Sequence, residues 1–264
     1  MARHRAKRAS RPNPREDRNI GNPTGYSNKK NQRKEANSIL QAPIKPKKQR
    51  VEIIPRNLAQ EDLVSSLQNP ANHITFAIGS AGTGKTLLGT LHAIKALKEG
   101  IIEKIVITRP NISVDDRDIG FLPGSIIEKM SPWMMPILDV FAEYFTQPEI
   151  EAMLEEKVIE MVPLAYIRGR TFKQSLVLFD EAQNSTASSM LSVLTRLGED
   201  SQMVVTGDLA QSDRGRDNGL LDFVERFERN PQPGISVVKF GVKDVERSDA
   251  VRQVLALYPD SDSL

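Results

Sequence analysis

The eight residues GSAGTGKT, at positions 79–86, constrain this chain more strongly than any other part of its sequence. They follow the apolar, β-branched run ITFAI and precede a run with apolar residues at helical spacing. The pattern G-x-x-x-x-G-K-[ST] between a strand and a helix is typical of a loop whose backbone N–H groups surround a phosphate. The chain is therefore expected to fold around a buried strand that ends in a phosphate-binding turn.

The residue types in this loop match the chemistry of a nucleoside triphosphate. Glycines let the backbone curl so that several N–H groups point at one phosphate, and the helix N-terminus adds the positive end of its dipole. Lys85 is expected to reach the β- and γ-phosphates, and the Thr86 hydroxyl is expected to bind Mg²⁺. A glycine turn without a ligand is the alternative. The expected ligands are ATP and Mg²⁺, and the predicted nucleotide-binding residues are Gly79, Ser80, Ala81, Gly82, Thr83, Gly84, Lys85 and Thr86.

The body of the chain alternates between strand and helix patterns. Short β-branched runs predict buried strands at 74–78, 104–108, 175–179, 202–206 and 235–240, with a weaker candidate at 158–162. Apolar residues at helical spacing predict helices at 85–99, 188–197 and 220–229. This alternation predicts an α/β fold with a mostly parallel sheet and helices on both faces. Residues 51–264 suffice for one such domain.

Two acidic residues, Asp180 and Glu181, come directly after the predicted strand SLVLF. Open α/β sheets bind their ligands at the carboxyl ends of the strands, so Asp180 suits the Mg²⁺ shell and Glu181 suits a base for the attacking water. An acidic helix start is the alternative. After the next strand, Asp208 and Gln211 are candidates for sensing the γ-phosphate, with a polar turn as the alternative.

Charge is divided unevenly along the chain. Residues 1–50 contain 15 Lys and Arg against 3 acidic residues, whereas the remainder contains 21 basic and 31 acidic residues. A segment so basic and so poor in apolar residues is predicted to be a disordered tail. Such an arm binds nucleic acid by releasing counterions from phosphates, or it only aids solubility.

Composition excludes several other classes of protein. The chain has no cysteine, which excludes disulfides, cysteine zinc sites, iron–sulfur clusters and thiol nucleophiles, and its three histidines disfavour a histidine-rich metal site. No apolar run approaches the roughly 18 residues of a membrane span, and no hydrophobic signal core begins the chain. A cytoplasmic protein that does not enter the membrane is therefore expected.

Five motifs in order resemble those of the PhoH-like ATPase family. They are GSAGTGKT, ITRP at 107–110, GFLPG at 120–124, LFDEAQN at 178–184 and VVTGDLAQSD at 204–213. The family is similar to the first RecA-like domain of superfamily 1 helicases, so the resemblance implies a single RecA-like P-loop NTPase domain. It also implies that Asp180 and Glu181 are the Walker B pair and that residues 206–211 form the third helicase-type motif.

Two further residues take their expected roles from this resemblance. The stretch RNLAQEDL looks like a glutamine element that would place Gln60 on the adenine. The ITRP motif implies that Arg109 lies near a nucleic-acid phosphate, although an arginine at a strand end can also pair with a surface carboxylate. No counterpart is expected here for the second RecA-like domain of the helicases or for the added nuclease domain of some relatives, so nuclease activity is not expected.

A phosphoryl-transfer site usually needs an arginine on the developing charge, and one domain can obtain it from a neighbouring subunit. The candidates are Arg170 and Arg247, with Arg168 and Arg252 as the other arginines of the same segments. Head-to-tail contacts of this kind build rings, so a homo-oligomeric ring, such as a hexamer, is expected. In the alternatives, Arg247 pairs with Asp244 or Asp249, and Arg170 simply precedes a strand.

Together these features predict an Mg²⁺-dependent ATPase that acts on RNA or single-stranded nucleic acid. A small-molecule P-loop kinase is one alternative, and a nucleotide-dependent assembly factor without a nucleic-acid substrate is the other.

Overall fold

The computed structural model describes residues 50–110, 126–213, 215, 217–246, 250, 251 and 253, and describes side chains of its third helix from Met134 onward. Its sheet has six strands in the order β3-β2-β4-β5-β1-β6, and every neighbouring pair is parallel. The strands are β1 (Ile74–Gly79), β2 (Lys104–Thr108), β3 (Ile159–Met161), β4 (Ser175–Phe179), β5 (Gln202–Gly207) and β6 (Ile235–Phe240).

Helices connect these strands. They are α1 (Leu58–Gln68), α2 (Lys85–Lys98), α3 (Ile126–Tyr144), α4 (Gln147–Glu155), α5 (Ala187–Leu194) and α6 (Gly219–Arg229). Short 3₁₀ helices lie at Leu164–Tyr166, Ala182–Asn184, Leu209–Gln211 and Val242–Asp244. None of the helices in the described ranges is long and apolar enough to cross a membrane.

The sheet is buried on both faces because successive side chains of each strand enter different cores. In β1, Ala77 packs with the core that α1, α2, α3 and α4 cover, whereas Phe76 and Ile78 pack with the core that α5 and α6 cover. Strands that are buried on both faces therefore consist of continuous apolar residues, and such runs in the sequence predict the strands. The predicted α/β fold with helices on both faces is confirmed.

The observed strands follow the predicted ones closely, but helix α5 ends three residues earlier than predicted. After Leu194 the chain turns back to the segment before β4, where Phe172 N donates to Arg196 O and Gly198 N donates to Phe172 O. Helices α1, α3 and α4 had no counterpart among the predicted elements. The motif at 120–124 and residues 1–49 of the predicted tail lie outside the described residues.

The residue that precedes α2 differs from those that precede α1, α5 and α6. Asn57, Thr186 and Asn218 precede α1, α5 and α6, and each side chain accepts a backbone N–H of the first turn. Helix α2 follows Gly84, which has no side chain that could accept such a bond. The first N–H groups of α2 are therefore available to an anion at this end of the helix.

One histidine of α2 links the helix to the amino end of the sheet. His92 is buried, and its Nε2 lies 2.9 Å from Gln202 Oε1. Burial lowers the pKa of His92 from its usual value, and the hydrogen bond to Gln202 opposes that shift. The folded state therefore takes up this proton less readily than the unfolded state does.

We expect His92 to make stability dependent on pH. Because the folded pKa is depressed, its contribution is complete above the unfolded pKa of about 6.5 and is lost as the pH falls from there toward the folded pKa. Melting temperatures at about pH 7.5 and pH 5.5 give the size of this loss, and His92→Gln should reduce the difference between them.

The control is His73→Gln, the same change at an exposed histidine. It should keep the wild-type difference between the two melting temperatures. Equal pH dependence in wild type and His92→Gln would contradict the assignment to His92.

Candidate active site

The loop at 79–86 connects β1 to α2 at the carboxyl edge of the sheet. Gly79 has φ +146°, and a Cβ built on it would lie 2.1 Å from Phe240 O at the end of β6. Gly84 has φ +84°, which is the left-handed region that favours glycine. Both glycines are therefore required by the path of the backbone, as the sequence predicts.

Lys85 holds its ammonium group inside the loop. Its Nζ donates to Gly79 O at 2.6 Å, to Ser80 O at 2.7 Å and to Thr83 Oγ1 at 3.2 Å. Burial lowers the pKa of Lys85 from its usual value, whereas the carboxylates of Asp208, Glu181 and Asp180 act in the opposite direction. The three acidic side chains that the sequence assigns to this site line the same cavity as Lys85.

Asp180 joins the loop to the sheet. Thr86 Oγ1 donates to Asp180 Oδ1 at 2.8 Å, and the Thr206 hydroxyl at the end of β5 donates to the same oxygen. The two predicted metal ligands, Thr86 and Asp180, are therefore in direct contact. Hydroxyl and carboxylate oxygens are donors that suit Mg²⁺, so this pair fits the ion.

Glu181 is held from two sides beside Asp180. Its backbone is left-handed, with φ +54°. Gln183 Nε2 donates to Glu181 Oε2 at 2.6 Å, and Arg109 Nη2 lies 3.4 Å from Glu181 Oε1. The side chain of Glu181 remains 34% exposed, so water has access to the carboxylate.

Arg109 lies at the end of β2, next to the predicted Walker B pair. Besides Glu181 it contacts Asp180, with Nη1 3.8 Å from Asp180 Oδ2. Hydrogen bonding between the strands fixes this position, because Asp180 N donates to Thr108 O. The carboxylate partners of Arg109 are thus the two acidic residues of the candidate site, whereas the alternative for this arginine was a surface carboxylate.

Asp208 lies at the end of β5 and touches the loop. Its Oδ2 accepts from Ala81 N at 3.1 Å, and its own N–H donates to Gln183 Oε1 at 3.1 Å. Gln211 lines the same cavity of about 200 Å³ as Lys85, Thr86 and the acidic residues. Both candidates for contact with the γ-phosphate therefore lie beside the loop.

Gln60 lies in α1 and contacts the loop at Thr83. Its Nε2 donates to Thr83 O at 3.1 Å, and its Oε1 accepts from Arg56 N at 2.9 Å. Gln60 is only 4% exposed. One N–H and one oxygen lone pair of the Gln60 amide are thus used inside the protein.

The segment after β6 also reaches the loop, where Glu246 N donates to Gly82 O at 2.9 Å. Arg247, the next residue, lies outside the described residues.

Arg170 forms a bidentate ion pair with Glu160, in which Nη1–Oε1 is 2.7 Å and Nη2–Oε2 is 2.8 Å. Glu160 lies on β3 at the edge of the sheet and also pairs with Lys104 at the start of β2. Arg170 is therefore held away from its own subunit's phosphate loop.

Two contributors to the site were missed in the sequence. Thr206 shares an oxygen of Asp180 with Thr86, and Gln183 bridges Glu181 and Asp208. Gln183 belongs to the motif LFDEAQN and Thr206 to the motif VVTGDLAQSD. Each lies two positions from an acidic candidate, Glu181 or Asp208, and this proximity in the sequence could have identified them.

A larger depression of about 1270 Å³ lies at the opposite, amino edge of the sheet, where His73, His92 and Gln202 are among its lining residues. It contains none of the loop or acidic residues of the P-loop cavity. The candidate chemistry lies at the carboxyl edge, because the phosphate loop and the acidic side chains meet there.

Residues 52–259 match the family described as PhoH-like protein. The sequence is 40% identical to Protein PhoH of Escherichia coli (strain K12) over 216 residues, which are 78% of this chain and 58% of that protein. It is 38% identical to the PhoH-like protein of Bacillus subtilis (strain 168) over 205 residues, which are 77% of this chain and 63% of that protein. The chain thus spans less than two thirds of the length of these relatives.

Solved structures show weaker similarity. The SWI2/SNF2 ATPase core of Sulfolobus solfataricus in complex with dsDNA is 14% identical, with a TM-score of 0.39, over 64% of this chain and 35% of that one. The Pif1 helicase from Candida albicans is 15% identical, with a TM-score of 0.38, over 78% of this chain and 43% of that one.

The family match covers nearly all of the body, and within it the loop at 79–86 and the acidic residues Asp180 and Glu181 meet at one edge of a parallel sheet. The chain belongs to the PhoH-like protein family.

Proposed function

We propose that this protein binds ATP with Mg²⁺ at residues 79–86 and hydrolyses it. The observation that carries the proposal is the hydrogen bond between Thr86 and Asp180, because it joins the phosphate loop to the acidic pair. Lys85, Glu181 and Asp208 line the same cavity. A phosphate chain on the loop would therefore end beside Glu181, which is the geometry that hydrolysis requires.

Each residue then has one role. Lys85 binds the β- and γ-phosphates, and Glu181 accepts a proton from the attacking water. Asp208 and Gln211 contact the γ-phosphate. Thr86 and Asp180 would hold Mg²⁺, which neutralises charge on the phosphates when it is bound.

Substitutions of Lys85 and Glu181 test this chemistry. Lys85→Ala should abolish ATP turnover, because the positive charge on the β- and γ-phosphates is removed. Glu181→Gln should keep ATP binding and slow hydrolysis by about 100-fold or more, because the shape is kept and the base is removed. Phosphate release and equilibrium binding of a fluorescent ATP analogue measure the two effects.

Lys98→Ala and Glu225→Gln are matched controls on the surface, and both should hydrolyse ATP at the wild-type rate. Hydrolysis by Glu181→Gln at that same rate would show that the assigned base is wrong.

We also propose that the protein acts on RNA or single-stranded nucleic acid through residues 1–50 and the region of Arg109. The 15 basic residues of the tail and the resemblance to helicase domains support this substrate class. Arg109 touches both Walker B carboxylates, so a phosphate bound to Arg109 would lie next to the hydrolytic group.

ATPase assays with and without single-stranded RNA or DNA separate this function from its alternatives. Stimulation by nucleic acid supports the proposal. Phosphate appearing on an added metabolite would support a small-molecule kinase, and binding of ATP without turnover would support an assembly factor.

Deletion of residues 1–50 tests the tail. Nucleic-acid affinity should fall. The slope of log affinity against log salt concentration should become shallower by up to about one unit for each phosphate that the tail neutralises in the intact protein. Hydrolysis of ATP without nucleic acid should survive, because the site lies in the remaining domain. Binding titrations at several salt concentrations measure both quantities, and an unchanged slope would leave the tail without a part in binding.

We propose further that an arginine completes the site and that the protein forms a homo-oligomeric ring, such as a hexamer. Arg170 can serve only a neighbouring subunit, because Glu160 holds it at the far edge of the sheet. Arg247 follows Glu246, which touches the loop of its own subunit. Both arginines remain candidates for a contact across the subunit boundary.

Mixing inactive subunits tests the shared site. A Lys85→Ala subunit cannot hydrolyse ATP but still offers its arginines, whereas Arg247→Ala or Arg170→Ala keeps its loop and offers no such charge. A mixture of the two kinds should recover part of the ATPase activity that neither has alone.

Glu160→Gln is the control for Arg170→Ala, since it breaks the same ion pair and leaves the arginine in place. Absence of recovery in both mixtures, together with a monomer by light scattering in ATP and Mg²⁺, would contradict the shared site.

A further inference from the structure

We propose that Gln183 is a positioning residue of the site, whose amide holds the carboxylate of Glu181 at a fixed place relative to the phosphate loop. The inference deepens the proposed function and rests on it, since it takes Glu181 as the base for the attacking water. In this role Gln183 changes the rate of hydrolysis through Glu181 and not through a contact with the nucleotide.

The side chain of Glu181 needs such a contact because little else in its own residue fixes it. Its backbone has φ +54° and ψ +39°, in the left-handed region that residues other than glycine rarely adopt. Its side chain is 34% exposed, so a carboxylate without a partner would occupy several rotamers. A base acts only within hydrogen-bond reach of the water, and each unproductive rotamer therefore lowers the rate.

The amide of Gln183 makes the shorter of two contacts with this carboxylate. Nε2 of Gln183 donates to Glu181 Oε2 at 2.6 Å. Arg109 Nη2 lies 3.4 Å from Oε1, which is longer than the roughly 2.8 Å of a charge-assisted hydrogen bond. Gln183 is 1% exposed, and a Cβ on Gly207 would lie 2.9 Å from its Oε1, so the amide itself is closely packed. Gln183 can therefore hold Glu181 without moving itself.

The partners of the Gln183 amide also fix which way it points. The backbone N–H of Asp208 can only donate, so it must face the amide oxygen, and the amide nitrogen is left to face Glu181. Asp208 in turn accepts from Ala81 N in the phosphate loop. A continuous series of hydrogen bonds thus runs from the loop through Asp208 and Gln183 to Glu181, and it sets the place of the proposed base relative to the loop.

Substitution of Gln183 tests this role. Gln183→Met keeps the length of the side chain and removes both hydrogen bonds. It should lower kcat for ATP by about tenfold or more, which is what a hydrogen bond to a charged group contributes. The dissociation constant of a fluorescent ATP analogue should stay within about twofold of wild type, because Gln183 is not among the residues that line the P-loop cavity. Gln183→Leu should behave in the same way and covers the case that the methionine variant folds poorly.

A double substitution shows whether Gln183 acts through Glu181. If it does, the amide has nothing left to position once the base is gone. Gln183→Met combined with Glu181→Gln should therefore hydrolyse ATP within about twofold of the rate of Glu181→Gln alone. A role in the general stability of the site would slow the double variant further.

Gln147→Met is the matched control. Gln147 also donates its Nε2 to a glutamate, Glu151 Oε1 at 3.1 Å, but on the exposed surface of α4. The same change at this position should leave both kcat and the affinity for the ATP analogue at their wild-type values.

Three results would overturn the inference. They are a wild-type kcat in Gln183→Met and Gln183→Leu, a loss of ATP affinity in these variants with no change in kcat, and a double variant about tenfold slower than Glu181→Gln alone. Two other results would instead contradict the proposed function. These are the absence of ATP hydrolysis by the wild type and hydrolysis by Glu181→Gln at the wild-type rate.

Discussion

Two hydroxyl groups donate to the same oxygen of Asp180, and the rest of the site depends on this junction. Thr86 comes from the first turn of α2, and Thr206 comes from the end of β5. Since β5 lies between β1 and β4, the loop that follows β1 reaches the carboxylate at the end of β4 across Thr206. A buried carboxylate needs such partners, so the loop and the sheet cannot shift relative to each other without leaving it unsatisfied.

A second junction joins three strand ends around Glu181. Gln183 contacts Glu181 with one end of its amide and Asp208 N with the other, which links β4 to β5. Arg109 adds the end of β2. The left-handed backbone at Glu181 is rarely adopted by residues other than glycine, so the surrounding contacts must hold it there. The proposed base is thus placed by its neighbours and not by its own backbone preference.

Local patterns in the sequence predicted the features that depend on neighbouring residues. The strands are β-branched runs buried on both faces, and the phosphate loop requires glycines at Gly79 and Gly84, so both could be recognised from the sequence alone. The motif spacing also placed Asp180 and Asp208 at one edge, because the carboxyl ends of parallel strands meet there.

Contacts between distant parts of the chain could not be predicted in this way. The motif at Gln60 indicated a residue near the nucleotide, but its partner is the carbonyl of Thr83, 23 positions away. The sequence made Arg170 a candidate for the site of a neighbouring subunit, and the structure pairs it with Glu160 on a strand that the sequence indicated only weakly. Such side-chain contacts depend on how the helices and strands pack against one another. Neither composition nor periodicity predicts that packing.

The phosphate loop is held by two sets of contacts from other parts of the chain. On one side, Asp208 at the end of β5 accepts the N–H of Ala81. On the other side, Gln60 and Glu246 hold the carbonyls of Thr83 and Gly82. The second set of contacts comes from α1 and from the segment after β6, which are far apart in the sequence and adjacent in the fold. Without α1 and the segment after β6, the loop would therefore lose the hydrogen bonds that Gln60 and Glu246 make to it.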